Sequence, residues 1–358
     1  MTNKFVVPMN EFKQIGGQRN SNLELYRIIV MLLIVCHHYV VNSEVSTLMR
    51  TEELCFRSAF FNIFGAWGKT GINCFVLITG YFMCTSNINW RKYLKLYLQV
   101  KFYWLAILLI FLFAGIASIG IKTIIGILPF SEIGESFTNA FMAFFLFIPF
   151  LNITIRNMTR NQHICLIALL LFIYTFLGML GRVTYNYVSW FCTLYFISSY
   201  IRLYGLPHNE SARFWGWSTF IAFLLSVCSI FVPVLIGKSP TYFFVADSNH
   251  ICALLLSVSS FMWFKNLEIK QNRIINTIGA STFGVFLIHT RGAEMRHWLW
   301  YDFINTGAHY NDHYYWAYAI GCVLAIFAVC SVIDIIRINT LEKWAFALVD
   351  KIALKYKR

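Results

Sequence analysis

Long apolar runs separated by short polar ones dominate this chain, and they predict a bundle of membrane-crossing helices. The first run is Leu23–Val41, LELYRIIVMLLIVCHHYVV. Others follow at about Ala59–Met83, Tyr93–Ala114, Thr138–Leu151, Ile164–Leu180 and Val188–Tyr204. The series closes with Trp215–Ile236, Ile251–Phe264, Ile275–Ala293 and Tyr315–Arg337. That is a count of ten spans in an all-α integral membrane protein. The fourth is short and carries Pro149 near its end, which leaves its boundaries the least defined of the ten. Residues 1–22 form a polar segment, 23–338 the membrane domain, and 339–358 a basic tail.

Composition agrees with that pattern. Only 13% of the 358 residues are charged against 58% hydrophobic, and mean hydropathy is +0.62. A soluble domain carries roughly 25% charged residues. The net charge of +13 raises nucleic acid as a partner, but the basic residues sit between apolar runs, in alternate loops. With ten spans and a cytoplasmic N-terminus, 20 of the 29 basic residues fall on the cytoplasmic side and 7 opposite. By the positive-inside rule both termini are then cytoplasmic, with the lipid bilayer and not nucleic acid as the partner. No cleavable signal peptide is expected from the polar start. The ten cysteines show no metal-ligand spacing and read as small buried hydrophobes.

Ionisable residues inside a span are costly and mark function by default. The first span carries Glu24, Arg27, His37 and His38. Arg27 and His38 are eleven residues apart, about 20° around a helix and about 16 Å along it. They share one face at two depths, whereas His37 points about 80° away from Arg27. Glu24 most simply pairs with Arg27 one turn on, and Asp334 with Arg337.

Lys69 and Asn73 are one turn apart on the second span, beside Gly68, Gly71 and Gly80, which allow close helix approach. Arg91, Lys92 and Lys95 in WRKYLKLY form a basic cluster before the third span. It suits either the positive-inside rule or phosphate binding. His289 in STFGVFLIHTR is placed at a depth similar to His38, where a structural hydrogen bond and a catalytic role stand about level. Asp247 and Arg182 fall in outer loops and read as solvated. Trp67, Trp298, Trp300 and Tyr301 read as an interfacial aromatic belt. No P-loop, GxGxxG, GxSxG or HExxH is present.

Taken in order, LELYRIIVMLLIVCHHY, GKTGINCFVLITGYFM, WRKYLKLY and STFGVFLIH resemble the membrane-bound acyltransferase family 3. Its stand-alone members include O-acetyltransferases of bacterial surface polysaccharides. The most specific match is an arginine, ten intervening residues and a histidine, here Arg27 and His38. Two departures stand out. Thr79 replaces a usual serine, and Arg91, Lys92 and Lys95 stand where two arginines are common. The resemblance implies acetyl-CoA as the acyl donor, with no tightly bound cofactor and no metal. Its phosphates would be held by Arg27 and the Arg91, Lys92 and Lys95 cluster.

His38 would be the general base, with His37 and His289 as further catalytic candidates. Lys69, Asn73 or His289 would stabilise the oxyanion or orient the acceptor. The acceptor would be a cell-surface glycan or its precursor, and the location the bacterial cytoplasmic membrane. The alternative from another class is a secondary transporter or flippase for a polysaccharide. It lacks paired broken helices in corresponding halves.

Overall fold

The structure is a computed structural model and describes residues 20–86, 89–120, 126 and 136–355. Most of the polar N-terminal segment, Lys122, and the last three residues therefore lie outside the described residues. The described residues form helices and connecting turns, with no strand among them. The elements are α1 (Ser21–Val41), α2 (Val45–Thr51), α3 (Phe56–Phe64), α4 (Gly68–Met83), α5 (Trp90–Phe113), α6 (Phe137–Asn157) and α7 (Arg160–Leu171). They continue as α8 (Tyr187–Tyr204), α9 (Ala212–Phe231), α10 (Ile251–Lys265), α11 (Arg273–His289), α12 (Gly292–His297), α13 (Tyr315–Arg337) and α14 (Lys343–Lys355).

Each predicted apolar run is helical over most of its length, although the ninth ends at His289, short of the expected Ala293. Six helices among the described residues are long and apolar enough to cross a membrane: Ser21–Val41, Trp90–Phe113, Phe137–Asn157, Arg160–Leu177, Ala212–Ile236 and Tyr315–Ile352. The other four runs are shorter or more polar. The second is two helices rather than one, because the chain turns at Gly65–Trp67. Continuous apolarity hides that break, since the turn is itself buried and needs no polar residues. The fourth runs through Pro149 to Asn157 instead of ending near Leu151. Asn152 holds that last stretch, donating to Met83 O at 3.1 Å and accepting from the Tyr195 hydroxyl at 2.6 Å. All ten cysteines are free, but only Cys74, Cys84 and Cys330 are buried, while Cys55, Cys165 and Cys228 are exposed.

α1 sits at the centre, packed against α4, α10, α11 and α13. Its core-facing side chains include Tyr26, Val30, Met31, Ile34 and Val35, all nearly inaccessible. Outward faces of peripheral helices stay apolar, as Phe220, Ile221, Leu224 and Leu225 of α9 show. Apolar groups exposed in that pattern suit a lipid solvent, where helix association relies on close packing and polar ties.

Two registers follow from particular contacts. α1 and α11 run parallel. Ser21 Oγ donates to Asn276 Oδ1 at 2.9 Å, Glu24 packs on Gly279, and His38 meets His289. α1 and α4 run antiparallel, with His37 on Gly68, Ile34 on Gly71 and Tyr26 on Cys74. A Cβ on Gly68 would lie 2.2 Å from the His37 ring, so only glycine lets α4 approach there.

A second close approach is set by Asp334 of α13, which is fully buried. It accepts from Arg337 Nε at 2.6 Å and from the Tyr103 hydroxyl at 2.7 Å. Gly284 of α11 faces it, and a Cβ there would sit 2.1 Å from the carboxyl carbon. Gly284→Ala is therefore expected to lower stability by about 1–3 kcal/mol through overpacking beside an ion pair. Thermal unfolding in detergent measures this, and an unchanged midpoint would contradict it.

Candidate active site

The parallel register of α1 and α11 brings two histidines together from opposite ends of the sequence. His38 Nδ1 lies 2.9 Å from His289 Nε2. His289 is fully buried, and its Nδ1 lies 2.7 Å from the Val285 carbonyl oxygen. A carbonyl only accepts, so His289 carries its proton on Nδ1 and turns a lone pair on Nε2 toward His38. His38 must then donate from Nδ1, which leaves its Nε2 with a free lone pair. One backbone carbonyl thus sets both tautomers.

His38 borders a chamber of about 450 Å³. Walls come from α1 (Ile34, His37, His38), α4 (Lys69, Ile72), α5 (Lys101, Tyr103, Trp104) and the end of α11 with α12 (Thr290, Arg291, Arg296). His37 also borders it, with Nδ1 2.5 Å from the Gly65 carbonyl at the turn between α3 and α4. Lys69 donates to the Tyr187 hydroxyl at 2.7 Å and pairs with Asp247 at 3.7 Å. Asp247 also accepts from Tyr185 at 3.3 Å, so it is engaged at the site and not merely solvated.

Asn73 is held differently. It is buried, donates to Ser248 O at 2.7 Å and accepts from Trp190 Nε1 at 2.9 Å. Both ends of its amide tie α4 to neighbouring segments, and it does not border the chamber. Thr79 bonds back to Phe75 O in its own helix at 2.9 Å. Trp67 and Trp300 are buried at 5% and 0% exposure, packed on Phe223 and Tyr39. They belong to the core and not to an aromatic belt, because the turn before α4 that carries Trp67 and the helical stretch Trp298–Phe303 that carries Trp300 both fold inward.

Arg27 lies toward the other end of α1, its Nη1 3.2 Å from Glu24 Oε1. The Arg91, Lys92 and Lys95 cluster begins α5. Lys95 pairs with Glu342 at 2.5 Å, Arg91 pairs with Asp350 of α14, and Lys92 reaches Ser86 Oγ at 3.2 Å. Glu342 also holds Arg337, at 3.0 Å, one turn beyond Asp334. Asp334 and Glu24 pack on α11 only five residues apart, at Gly284 and Gly279. Arg27 and the α5 cluster therefore share one end of the bundle, and the histidines lie toward the other. The two side-chain pairs expected from spacing, Glu24 with Arg27 and Asp334 with Arg337, are both formed.

Sequence reasoning did not assign Lys101, Tyr103, Trp104, Arg291 or Arg296 to the site. Lys101 carried a signal, as a lysine inside an apolar run. Arg291 and Arg296 carried none, since outer-loop arginines are ordinary.

A histidine pair, with His289 fully buried and His38 half-buried, borders a polar chamber inside an apolar helical bundle of the kind a membrane protein has. The chain matches the family model of the acyltransferase domain, acyltransferase family 3, over residues 20–335. It belongs to that family and is a membrane acyltransferase. No curated protein and no solved structure matches it.

Proposed function

We propose that the protein is an O-acetyltransferase that moves an acetyl group from cytoplasmic acetyl-CoA to a hydroxyl of a cell-surface glycan or its precursor. The reading takes all ten apolar runs as crossings with both termini cytoplasmic, in the bacterial cytoplasmic membrane. The observation that carries it is the His38–His289 pair beside the chamber, about 16 Å along α1 from Arg27. That separation suits a donor whose phosphates lie at the cytoplasmic end and whose thioester lies at the far end of an extended arm.

In this mechanism His38 Nε2 removes the proton from the acceptor hydroxyl as its oxygen attacks the thioester carbonyl. The carbon–oxygen bond forms, and the carbonyl oxygen becomes an oxyanion, which Lys69 on the chamber wall stabilises in this reading. His289 accepts the Nδ1 hydrogen bond of the imidazolium and spreads its charge. The carbon–sulfur bond then breaks, and His38 returns its proton to the departing CoA thiolate. Arg27, Arg91, Lys92 and Lys95 bind the donor's phosphates, for which Glu24, Glu342 and Asp350 are the competing carboxylates.

The test supplies acetyl-labelled acetyl-CoA and glycolipid from the producing cells to purified protein, and follows label transfer and CoA release. Transfer to a glycan hydroxyl is expected. Net glycan flux across vesicles without acyl transfer would instead favour a transporter. Arg27→Ala is expected to weaken acetyl-CoA binding about tenfold or more, the loss of one charge-assisted phosphate contact. Calorimetry measures it, and unchanged affinity removes Arg27 from the donor site.

A further inference from the structure

The chamber stops short of the cations at the other end of the bundle. Among its described lining residues, Ile34 lies nearest Arg27 along α1, seven residues or about 10 Å away. On α5 the nearest to Lys95 is Val100, about 7.5 Å away. The deepest lining residues on α4 and α11, Ile72 and Phe286, are apolar as well.

Beyond them, phenylalanine rings bridge α6 and α11 in two tiers. In the first, Phe286 meets Phe137 edge-on with ring centroids 5.0 Å apart. One turn closer to the Arg27 end, Phe283 meets Phe141 at 6.1 Å. Phe191 of α8 stands behind both tiers, 5.6 Å from Phe137 and 6.3 Å from Phe141. Phe286 also faces the histidine pair, its ring 6.2 Å from that of His38 and 6.1 Å from that of His289.

Rings more than backbones close this seam, since α6 packs chiefly on α5 and α8, and α11 on α1, α13 and α5. Phe137, Phe141 and Phe283 are half-buried, and Phe191 is fully buried. A half-buried ring turns between rotamers without shifting a helix, whereas a fully packed one does not. The α1–α4 side is fixed more firmly, with Ile34 so close to Gly71 that no Cβ fits between them.

With the donor's phosphates at the Arg27 end and its thioester at His38, its arm has to cross this ring layer. Resting on that reading, we infer that Phe141 and Phe283 form an aromatic gate on the donor's route, shut in this structure and opened as the acyl-bearing arm enters. Phe191 is the fixed wall against which they close. While shut, an apolar constriction sheds water, so the donor end and the chamber do not join into one aqueous path across the bundle. Opening breaks the pairing of Phe283 with Phe141, which sets a barrier to entry and to release alike.

The deciding experiment follows tritiated acetyl-CoA on and off immobilised full-length protein by scintillation proximity. Labelled adenosine 3′,5′-bisphosphate, which has nucleotide phosphates and no arm, is the companion probe. Phe283→Ala is expected to raise the association and release rates of acetyl-CoA together, each about tenfold, with affinity within about threefold. Phe283→Trp should slow both rates. Neither variant should alter the rates of the bisphosphate. A change in both rates at constant affinity is the mark of a barrier, since lost packing or a lost contact shifts affinity instead.

Phe141→Leu and Phe283→Leu keep an apolar side chain and should move the rates in the same direction as alanine, which covers an alanine variant that does not fold. Acetyl-CoA rates unchanged in the Phe141 and Phe283 variants overturn the gate and leave the acetyltransferase reading standing. Affinity lost with an unchanged association rate does the same. Acetyl-CoA that fails to bind the wild type sinks the reading beneath it.

Discussion

His38→Ala is expected to abolish acyl transfer while acetyl-CoA binds as before. General-base catalysis contributes about 10²–10⁴-fold, and loss of the ring also removes what orients the hydroxyl, so a fall of at least about a thousandfold in kcat is expected. The binding half of the prediction follows from distance. Arg27 and the α5 cluster sit at the opposite end of the bundle, and the β-carbon of alanine keeps α1 packed where His38 was only partly buried. Calorimetry with acetyl-CoA and a single-turnover transfer assay separate the two effects. A variant that loses both together would show that His38 holds the donor or the fold, and would withdraw it as the base.

His289 carries the second large effect, through His38 rather than through the substrate. His289→Leu leaves the His38 Nδ1 proton without its acceptor at 2.9 Å. The imidazole is then free to take the other tautomer, with the proton on Nε2 where the lone pair is needed. A loss of about a hundredfold in kcat is expected, with the acetyl-CoA KM changed by less than about threefold. His289→Gln is the discriminating variant, because its side-chain oxygen can replace Nε2 as an acceptor. It should restore a substantial part of the rate lost in the leucine variant. Equal loss in both variants would mean that His289 meets the substrate itself or only fills space. Either outcome ends the tautomer argument, since the contact with Val285 O at 2.7 Å would then have no catalytic consequence.

The helices themselves were legible because their signal is local and redundant. Runs of apolar residues about one bilayer long predict helices wherever backbone groups must satisfy one another, and each predicted run is helical over most of its length. Spacing alone also predicts that Glu24 meets Arg27 and Asp334 meets Arg337, since three residues make less than one turn. The family could be read from the Arg27-to-His38 spacing together with the motifs that follow it, and the match over residues 20–335 bears that out. Where the local signal was uniform, the reading slipped. The turn at Gly65–Trp67, the continuation past Pro149 and the burial of Trp67 and Trp300 all depend on what packs against them.

By itself, then, the sequence determined an all-helical membrane acyltransferase with an arginine and a histidine on one face of its first helix. The helices and the shared face are set by periods of a few residues along a single element, and the acyltransferase reading came from the resemblance of its motifs to the family. Only the tertiary structure decided that His289 meets His38 across 251 residues, that Asn73 ties helices together and stays off the chamber, and that Lys101, Arg291 and Arg296 join Lys69 around one cavity. Those facts depend on the parallel register of α1 and α11 and on glycines that admit neighbours at close range. Register between helices far apart in sequence is fixed by side-chain fit, which no periodicity along one helix records.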